Sequence, residues 1–339
     1  MATMRAAQVG RPGGDLEFVA REIPEPARGQ VRIKVEACGI CHSDALVKQG
    51  HLPGVVYPRV PGHEIAGSID KVGPEVTRWA KGERVGVGWH GGHCFGCGAC
   101  RAGDYVNCEN GLVTGASFDG GYAEYAVVPQ EALARIPDGL RAAEAAPLMC
   151  AGITTYNALR HSGARGGDLV AIQGIGGLGH LGVQFARKMG FRTVAISSGR
   201  DKEDLARKLG ADVYIDSASE EPARTLLKLG GARVALATAP HSGAISALTD
   251  GLAPNGTLMI VGAAAEPIQV SPIQLIRGRK SIRGWASGHP ADSEETMKFA
   301  VLTGVRPMIE TYPLARAAQA LERMMTNKAR FRVVLRMED

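Results

Sequence analysis

The spacing of hydrophobic and polar positions changes near residue 150. Before it, alternating stretches such as residues 31–35 and 121–128 are typical of half-buried strands, with frequent glycine and proline between them. After it, short apolar runs alternate with segments whose apolar residues recur at helical spacing. This alternation predicts a parallel sheet covered by helices. The predicted strands are residues 168–173, 193–197, 213–216, 233–239, 257–261 and 281–285.

The C-terminal segment adds two predicted helices and one strand. Ser293 is an N-cap candidate for a helix over residues 294–302, and a one-sided apolar stripe predicts a helix over residues 313–325. Residues 330–337 have the pattern of a strand, which we expect to return to the N-terminal half. The 339 residues thus divide into two predicted domains, residues 1–150 with 290–339, and residues 151–289.

The composition excludes several classes of protein. With 45% hydrophobic and 22% charged residues, the chain is globular rather than disordered. No apolar run is long enough to cross a bilayer, and the first fifteen residues lack a secretory core, so we expect a cytoplasmic protein with no membrane partner. The net charge of +5 is spread along the chain without a run of five basic residues, which argues against a nucleic-acid partner.

Four of the seven cysteines lie close together in the chain. Cys94, Cys97, Cys100 and Cys108 are separated by two, two and seven residues in a glycine-rich segment. Thiolates at this spacing can converge on one tetrahedral zinc ion, and four of them leave no open position for chemistry. Disulfides are the competing interpretation, which an intracellular chain disfavours. The segment is therefore predicted to hold a structural zinc ion.

A second set of metal-ligand candidates lies on both sides of the four-cysteine segment. Cys41 and His63 precede it, with Glu64 directly after His63, and Cys150 follows it at the predicted domain junction. A catalytic zinc site needs three protein ligands and an open position. Taken singly, Cys38 or Cys150 would more often be a small buried apolar residue.

A glycine-rich loop follows the first predicted strand of the second domain. Gly174, Gly176 and Gly179 form the pattern G-x-G-x-x-G, with Gly177 and Leu178 between them, directly before a predicted helix at residues 180–189. Small residues there let the backbone approach a pyrophosphate at the helix N-terminus. Since 45 glycines make chance matches common, the position between strand and helix carries the prediction of a dinucleotide site.

The end of the second predicted strand bears on the choice of cofactor. An NAD site usually has Asp or Glu there, whereas this chain has Ser197 and Ser198, with Arg200 and Lys202 close by. Hydroxyls and cations suit a 2′-phosphate, which favours NADP(H). Alternatively these are solvated turn residues, with Asp201 capping the next helix, and NAD(H) is accepted.

Together these residues make the chain resemble the zinc-dependent alcohol dehydrogenases of the medium-chain dehydrogenase/reductase superfamily. The resemblance covers essentially the whole length and rests on CGICHSD, PGHEIAGSIDKVG, CFGCGACRAGDYVNC, DGGYAEY, CAGITTY and GIGGLGHLGVQFARKMG. The serine-bearing second strand is similar to that of the cinnamyl-alcohol-type branch of the family. The length of 339 residues is similar to that of the bacterial and yeast-type enzymes. It implies an α/β fold, with a GroES-like, mostly-β catalytic domain and a doubly wound Rossmann domain for the cofactor.

The resemblance also implies the metal chemistry of the site. Cys41, His63 and Cys150 match the ligands of the catalytic zinc, and Glu64 matches a carboxylate that approaches the metal during ligand exchange. Asp44 matches the acid that orients the ligating histidine. With the structural site this gives two zinc ions per chain.

Further matches concern proton transfer and cofactor contacts. Ser43 matches the hydroxyl that takes the alcohol proton, His42 a basic residue at the pyrophosphate, Arg332 an arginine that reaches pyrophosphate and Glu64, and Thr154 a nicotinamide contact. Many relatives have a histidine three residues after the relay hydroxyl, where this chain has Leu46, so the outer end of the relay is unassigned. Residues matching the substrate pocket are His51, Trp89 and Phe118.

The expected function is the interconversion of alcohols with aldehydes or ketones by hydride transfer. The favoured substrate is a primary alcohol or aldehyde, and the favoured cofactor is NADP(H). The alternative is an NAD-linked primary-alcohol dehydrogenase, and less favoured ones are a zinc-free quinone reductase and a non-enzymatic zinc-stabilised binding protein. Exposed strands near residues 262–285 predict a homo-oligomer, either a dimer or a tetramer.

Overall fold

The computed structural model describes residues 2–338 and divides the chain into two compact units. The first unit ends at Ile153 and resumes at Gly288, and the second unit is Thr154–Ser287. Among the described residues, no helix combines the length and the apolar character that crossing a membrane requires.

The regular elements are given in chain order. The strands are β1 (Thr3–Val9), β2 (Leu16–Glu22), β3 (Gln30–Ile40), β4 (Glu64–Val72), β5 (Arg84–Val87), β6 (His90–Gly92), β7 (Leu112–Val113), β8 (Tyr125–Pro129), β9 (Ala134–Arg135), β10 (Leu169–Gln173), β11 (Arg192–Ser197), β12 (Val213–Asp216), β13 (Ala232–Ala237), β14 (Leu252–Ile260), β15 (Ser281–Gly284), β16 (Ile309–Pro313) and β17 (Arg332–Arg336). The helices are α1 (His42–Gln49), α2 (Gly98–Arg101), α3 (Ala142–Ala145), α4 (Ala151–Arg160), α5 (Gly179–Lys188), α6 (Glu203–Lys208), α7 (Pro222–Lys228), α8 (Ser242–Leu248), α9 (Pro272–Ile276), α10 (Pro290–Thr303) and α11 (Ala317–Met325).

The long strand β3 organises the first unit. It pairs antiparallel with β4, β8 and β17 in a sheet of order β16-β17-β3-β4-β5-β9. Its apolar positions alternate inward, and Val31, Ile33 and Val35 belong to the buried core of this unit. The pairing of β3 with β17 confirms that the C-terminal strand returns to the N-terminal half.

The second unit has a parallel sheet of order β12-β11-β10-β13-β14-β15. In this order the first strand of each half lies at the centre, which is the doubly wound arrangement. All five residues of β10 are buried, as expected for a central parallel strand covered on both faces. The predicted fold class, a mostly-β domain with a doubly wound domain, is confirmed.

Several boundaries differ from the sequence prediction; for example, β14 begins at Leu252 and not at residue 257, and α11 begins at Ala317 and not at residue 313. Two further differences have a clear local cause. The predicted strand at residues 121–128 forms only from Tyr125. Residues 121–124 divide their backbone hydrogen bonds among the loop at residues 61–62, β1 and β3, with an isolated bridge to β1 in place of a continuous ladder. The helix predicted to start after Ser293 begins at Pro290, which has no N–H to leave unpaired at the first helical position. His289 caps the helix by accepting a hydrogen bond from Ala291 N at Nδ1, and its own backbone N–H donates to Asp292 Oδ2. Ser293 is buried inside the helix.

Candidate active site

The four clustered cysteines meet in a small lobe formed by α2 and the loops beside it. Their sulfur atoms all lie within 4.8 Å of one another, and the Sγ of Cys108 is 3.6 Å from that of Cys94 and 3.9 Å from that of Cys97. A disulfide needs about 2.05 Å between sulfurs, so these thiols are not bridged. The distances fit four ligands around one ion.

Backbone N–H groups in this lobe point at sulfur atoms. Cys94 N, Cys97 N and Cys100 N donate to cysteine sulfurs at 3.4, 3.4 and 3.5 Å. A hydrogen bond from Asn110 Nδ2, together with those from the backbone N–H groups of Cys97 and Gly96, lowers the pKa of Cys94 to about 6. Donors that stabilise thiolate suit a metal ligand, because zinc is bound by the deprotonated sulfur.

A second cluster gathers Cys41, His63, Glu64 and Cys150, whose candidate ligand atoms also lie within 4.8 Å of one another. Cys41 caps α1, His63 precedes β4, Glu64 begins β4, and Cys150 follows a 3₁₀ turn ahead of α4. The Sγ atoms of Cys41 and Cys150 are 3.9 Å apart. Their hydrogen bond lowers the pKa of Cys41 well below that of an ordinary thiol.

The imidazole of His63 is oriented by a buried carboxylate. Asp44 Oδ1 lies 2.9 Å from His63 Nδ1, and both side chains are almost fully buried. His63 Nε2 is buried with no hydrogen-bond partner in the protein. Burial alone would lower the pKa of His63, but the negative charge of Asp44 and its hydrogen bond raise it above the usual value. The surroundings of this imidazole therefore favour positive charge. An unpartnered nitrogen beside two thiols fits a zinc ion.

Glu64 is held at the edge of the cluster by Arg332. One carboxylate oxygen accepts a hydrogen bond from Arg332 Nη2, which also donates to the carbonyl of Ile40 at 3.0 Å. Burial raises the pKa of Glu64 to about 7 against the opposing charge of Arg332. The carboxylate reaches this place because Gly39, its partner in the β3–β4 register, has no side chain; a Cβ there would lie 1.9 Å from Glu64 Oε2.

The remaining residues predicted around the cluster lie on α1 and on nearby loops. Ser43 Oγ is 3.9 Å from Cys41 Sγ, and His42 is the exposed first residue of α1. Leu46 is 38% exposed. His51 is exposed beyond the end of α1, and the structure shows it in contact with neither other predicted pocket residue.

The two aromatic residues predicted for the pocket, Trp89 and Phe118, have different neighbours. Trp89 meets the imidazole of His63 edge-on, with ring centroids 5.0 Å apart. Phe118 packs against Gly91, where a Cβ would lie 2.9 Å from its ring, and it also contacts the core of the first unit. Trp89 therefore gives the metal cluster an aromatic wall.

The glycine loop of the second unit connects β10 to α5. Gly174 has φ +88°, and a Cβ on Gly179 would lie 1.7 Å from Gly174 O, so both positions require glycine. A Cβ on Gly176 would meet nothing within 4 Å, which leaves the loop backbone open to a ligand. Gly177 and Leu178 complete the turn, and Leu178 precedes the first residue of α5. The geometry fits a pyrophosphate at a helix N-terminus.

The end of β11 is a tight turn. Ser197 ends the strand, Ser198 follows, and Gly199 takes φ +77°. Arg200 Nη1 lies 3.4 Å from Glu203 Oε2, with 73% of the arginine side chain exposed. Lys202 caps α6, so the predicted cap Asp201 is one residue too early. Thr154 is buried in α4.

Three residues that hold these sites were not predicted from the sequence. Asp216 accepts hydrogen bonds from Gly199 N at 2.7 Å and from Ala218 N at 2.9 Å, and so fixes the turn after β11. Thr238 Oγ1 donates to Gly174 O at 2.9 Å, and Tyr122 OH donates to Asp44 Oδ2 at 2.9 Å. A parallel sheet places Asp216 opposite Ser197, and that register was the available signal.

Comparison with known families agrees with both units. The family described as "Alcohol dehydrogenase GroES-like domain" matches residues 27–138, and "Zinc-binding dehydrogenase" matches residues 177–301. An alcohol dehydrogenase of Penicillium expansum, patD, is 47% identical over 325 residues, covering 96% of this chain and 94% of the relative. The chain therefore belongs to the zinc-type alcohol dehydrogenases of the medium-chain dehydrogenase/reductase superfamily and is an oxidoreductase.

Two further comparisons extend over nearly the full length. An alcohol dehydrogenase of Geobacillus stearothermophilus is 37% identical over 338 residues, covering 99% of this chain and all of the relative. The solved structure of a cinnamyl alcohol dehydrogenase from Sorghum bicolor superimposes with a TM-score of 0.88 at 32% identity, covering 99% of this chain and 98% of that one.

Proposed function

We propose that this protein interconverts primary alcohols and aldehydes, with NADP(H) as the favoured cofactor and two zinc ions per chain. The observation that carries the proposal is the cluster of Cys41, His63 and Cys150, whose imidazole nitrogen is unpartnered and whose neighbour is the hydroxyl of Ser43. In this proposal the first unit is the catalytic domain, and the unit Thr154–Ser287 binds the dinucleotide.

Three side chains of the cluster would hold the catalytic metal, and each is fixed by a different part of the first unit. Cys41 and Cys150 supply sulfur, and His63 supplies the nitrogen that Asp44 leaves free. A zinc ion bound there supplies Lewis acidity toward a substrate oxygen. Glu64 is a fourth candidate ligand that Arg332 holds back by its ion pair, so a water or alcohol can occupy the fourth position.

Ser43 is the residue we assign to proton transfer. Its oxygen lies 3.9 Å from Cys41 Sγ, near the space next to the three ligands. The hydroxyl would accept the alcohol proton during oxidation as it gives up its own proton, and both transfers would reverse during reduction. Leu46 has no group that can carry the proton onward, so the outer end of the relay stays unassigned. A nicotinamide cofactor supplies the hydride acceptor or donor.

The aromatic walls bear on the substrate. Trp89 stands edge-on to His63, so an apolar, planar group on the carbinol carbon has a surface to pack on. The similar Sorghum bicolor enzyme is described as a cinnamyl alcohol dehydrogenase. These two observations favour primary alcohols with an apolar or aromatic substituent.

The turn after β11 supports NADP(H). NAD sites usually have an acidic residue at the end of this strand, and that acid would repel a 2′-phosphate. This chain has the hydroxyl of Ser197 at that position. Arg200 has an ion pair with Glu203 at an exposed position, and such pairs contribute about 0–1 kcal/mol. A charge-assisted bond to phosphate is worth about 1.5–3 kcal/mol, so a phosphate competes well for the guanidinium. The alternative is an NAD-linked enzyme in which Arg200 stays with Glu203.

The edge of the parallel sheet supports assembly into a homo-oligomer. Strand β15 is an edge strand with exposed residues, and Ile273 and Ile276 on the neighbouring α9 are 54% and 69% exposed. Open strand edges and exposed apolar side chains favour pairing with a second copy.

The first prediction concerns the four-cysteine lobe. We expect Cys97→Ser to lower the melting temperature by about 5 °C or more, because a closed thiolate site contributes folding free energy. The folded fraction should keep turnover close to that of the unmodified protein. Thermal unfolding, zinc analysis and kinetics of the purified variant test this, and an unchanged melting temperature with lost turnover would show that the site is not structural.

The second prediction concerns the catalytic cluster. We expect His63→Ala to lose or loosen one zinc ion and to reduce alcohol oxidation by about a thousandfold or more, since one of three ligands is gone. Cofactor binding should persist, because the glycine loop belongs to another unit. Zinc content, cofactor titration and turnover measure this, and near-normal oxidation by the variant would contradict the proposed metal site.

The third prediction concerns cofactor choice. We expect the native protein to prefer NADP+ over NAD+ in kcat/KM, and Ser197→Asp to move that ratio toward NAD+ by about tenfold or more. Arg200→Gln should weaken NADP+ alone. Arg207→Gln is a matched control, because Arg207 also pairs with Glu203, at 2.9 Å, but lies on α6 away from the turn. A native preference of tenfold or more for NAD+ would overturn the assignment.

The fourth prediction concerns assembly. Light scattering of the purified protein should give a dimer or tetramer at micromolar concentration. Ile276→Asp should shift the distribution toward the monomer, because it places a charge in the exposed apolar patch on α9. Leu302→Asp, at a still more exposed position on α10 of the other unit (82% against 69%), is the control. A monomeric native protein would contradict the proposal.

A further inference from the structure

Asp44 receives three hydrogen bonds from three separate segments of the first unit. Oδ1 pairs with His63 Nδ1, whereas Oδ2 accepts from the backbone N–H of Cys41 and from the hydroxyl of Tyr122, each at 2.9 Å. Only 1% of Asp44 is exposed. A buried carboxylate is stable only where protein donors replace its water, so each donor helps to fix its position.

Tyr122 is fully buried and packs against the chain that carries His63. Its backbone N–H donates to Pro61 O at 3.0 Å, and its ring lies where a Cβ on Gly62 would approach within 2.4 Å. The tyrosine therefore contacts the loop before His63 with its ring and backbone, and it contacts α1 with its hydroxyl. A single side chain joins the two segments that supply Cys41 and His63.

The hydrogen-bond directions define what the hydroxyl does. An ionised carboxylate can only accept a hydrogen bond, so the phenol of Tyr122 donates to Asp44. The same carboxylate then accepts from His63 Nδ1, which leaves Nε2 as the nitrogen with a free lone pair. Without the hydroxyl, Oδ2 keeps one bond, from Cys41 N, and can rotate away from its position.

We propose that Tyr122 is a positioning residue for the catalytic metal, acting through Asp44 on the imidazole of His63. The inference rests on the proposed metal site, and it adds an outer residue that contacts neither metal nor substrate. Loss of an outer-shell partner weakens metal binding by about 10–100-fold, and we expect Tyr122 to act at the lower end of that range because it is one bond further out.

Tyr122→Phe tests this, because it removes the hydroxyl and keeps the ring that packs against Gly62. Zinc release to 1,10-phenanthroline should be about tenfold faster for one ion per chain, with the four-cysteine ion unaffected. The cobalt-substituted variant should show an altered visible absorption spectrum, which a merely structural role would not produce. Tyr125→Phe is the matched control, because Tyr125 lies three residues on in β8 with its ring against Arg32.

The outcomes separate this inference from the proposed function. If the native protein binds two zinc ions, and Tyr122→Phe changes neither the rate of zinc release nor the cobalt absorption spectrum, only the role of Tyr122 is overturned. A native protein that binds no zinc at the Cys41–His63–Cys150 cluster overturns both.

If Tyr122→Phe does not fold, a measurement on the unmodified protein tests the same proposal. Ultraviolet resonance Raman bands of tyrosine report on the hydrogen bond of the phenol. Removing the catalytic zinc should change these bands if Tyr122 is linked to the metal through Asp44 and His63. Identical tyrosine bands with and without this zinc would contradict the proposal.

Discussion

The first unit depends on an excess of buried negative charge around one point. Asp44 and Glu64 are almost fully buried, two thiols lie beside them, and within residues 2–338 Arg332 is the only buried arginine or lysine. Ion pairs of this kind cost several kcal/mol per ion in desolvation, which one arginine cannot offset for two carboxylates. The divalent cation that we propose for Cys41, His63 and Cys150 would balance the charge, so under this proposal the metal site and the packing of these side chains constrain each other.

Two glycines give the buried side chains of this site the space they need. Gly39 lets the Glu64 carboxylate lie against β3, and Gly62 lets Tyr122 lie against the loop that carries His63. At both positions a Cβ would come within 2.4 Å or less of a functional side chain. The glycine content of the N-terminal half is therefore partly a requirement of the site. At these two positions any larger residue would clash with a side chain of the site.

Local features were predictable from the sequence and distant ones were not. The loop of Gly174 and Gly179 between β10 and α5 was visible because strand, turn and helix are adjacent in the chain. The bond between Tyr122 and Asp44 joins residues 78 positions apart and has no local pattern. The start of α10 was misplaced because Ser293 is a good cap by type, whereas Pro290 and the His289–Asp292 pair fix the start of the helix four residues earlier.

Cofactor choice illustrates why a motif alone does not define a site. The sequence shows Ser197 and a cation nearby, but the structure adds Glu203, which lies between two arginines at 3.4 and 2.9 Å. Asp216 also holds Gly199 in place with a buried carboxylate close to where the phosphate of NADP would bind. Because its oxygens are already engaged by two backbone N–H groups and by Ser219 Oγ, Asp216 repels an incoming phosphate less than a free carboxylate would. Selectivity thus depends on how completely the local acids are satisfied, and not only on whether an acid occupies the position of Ser197.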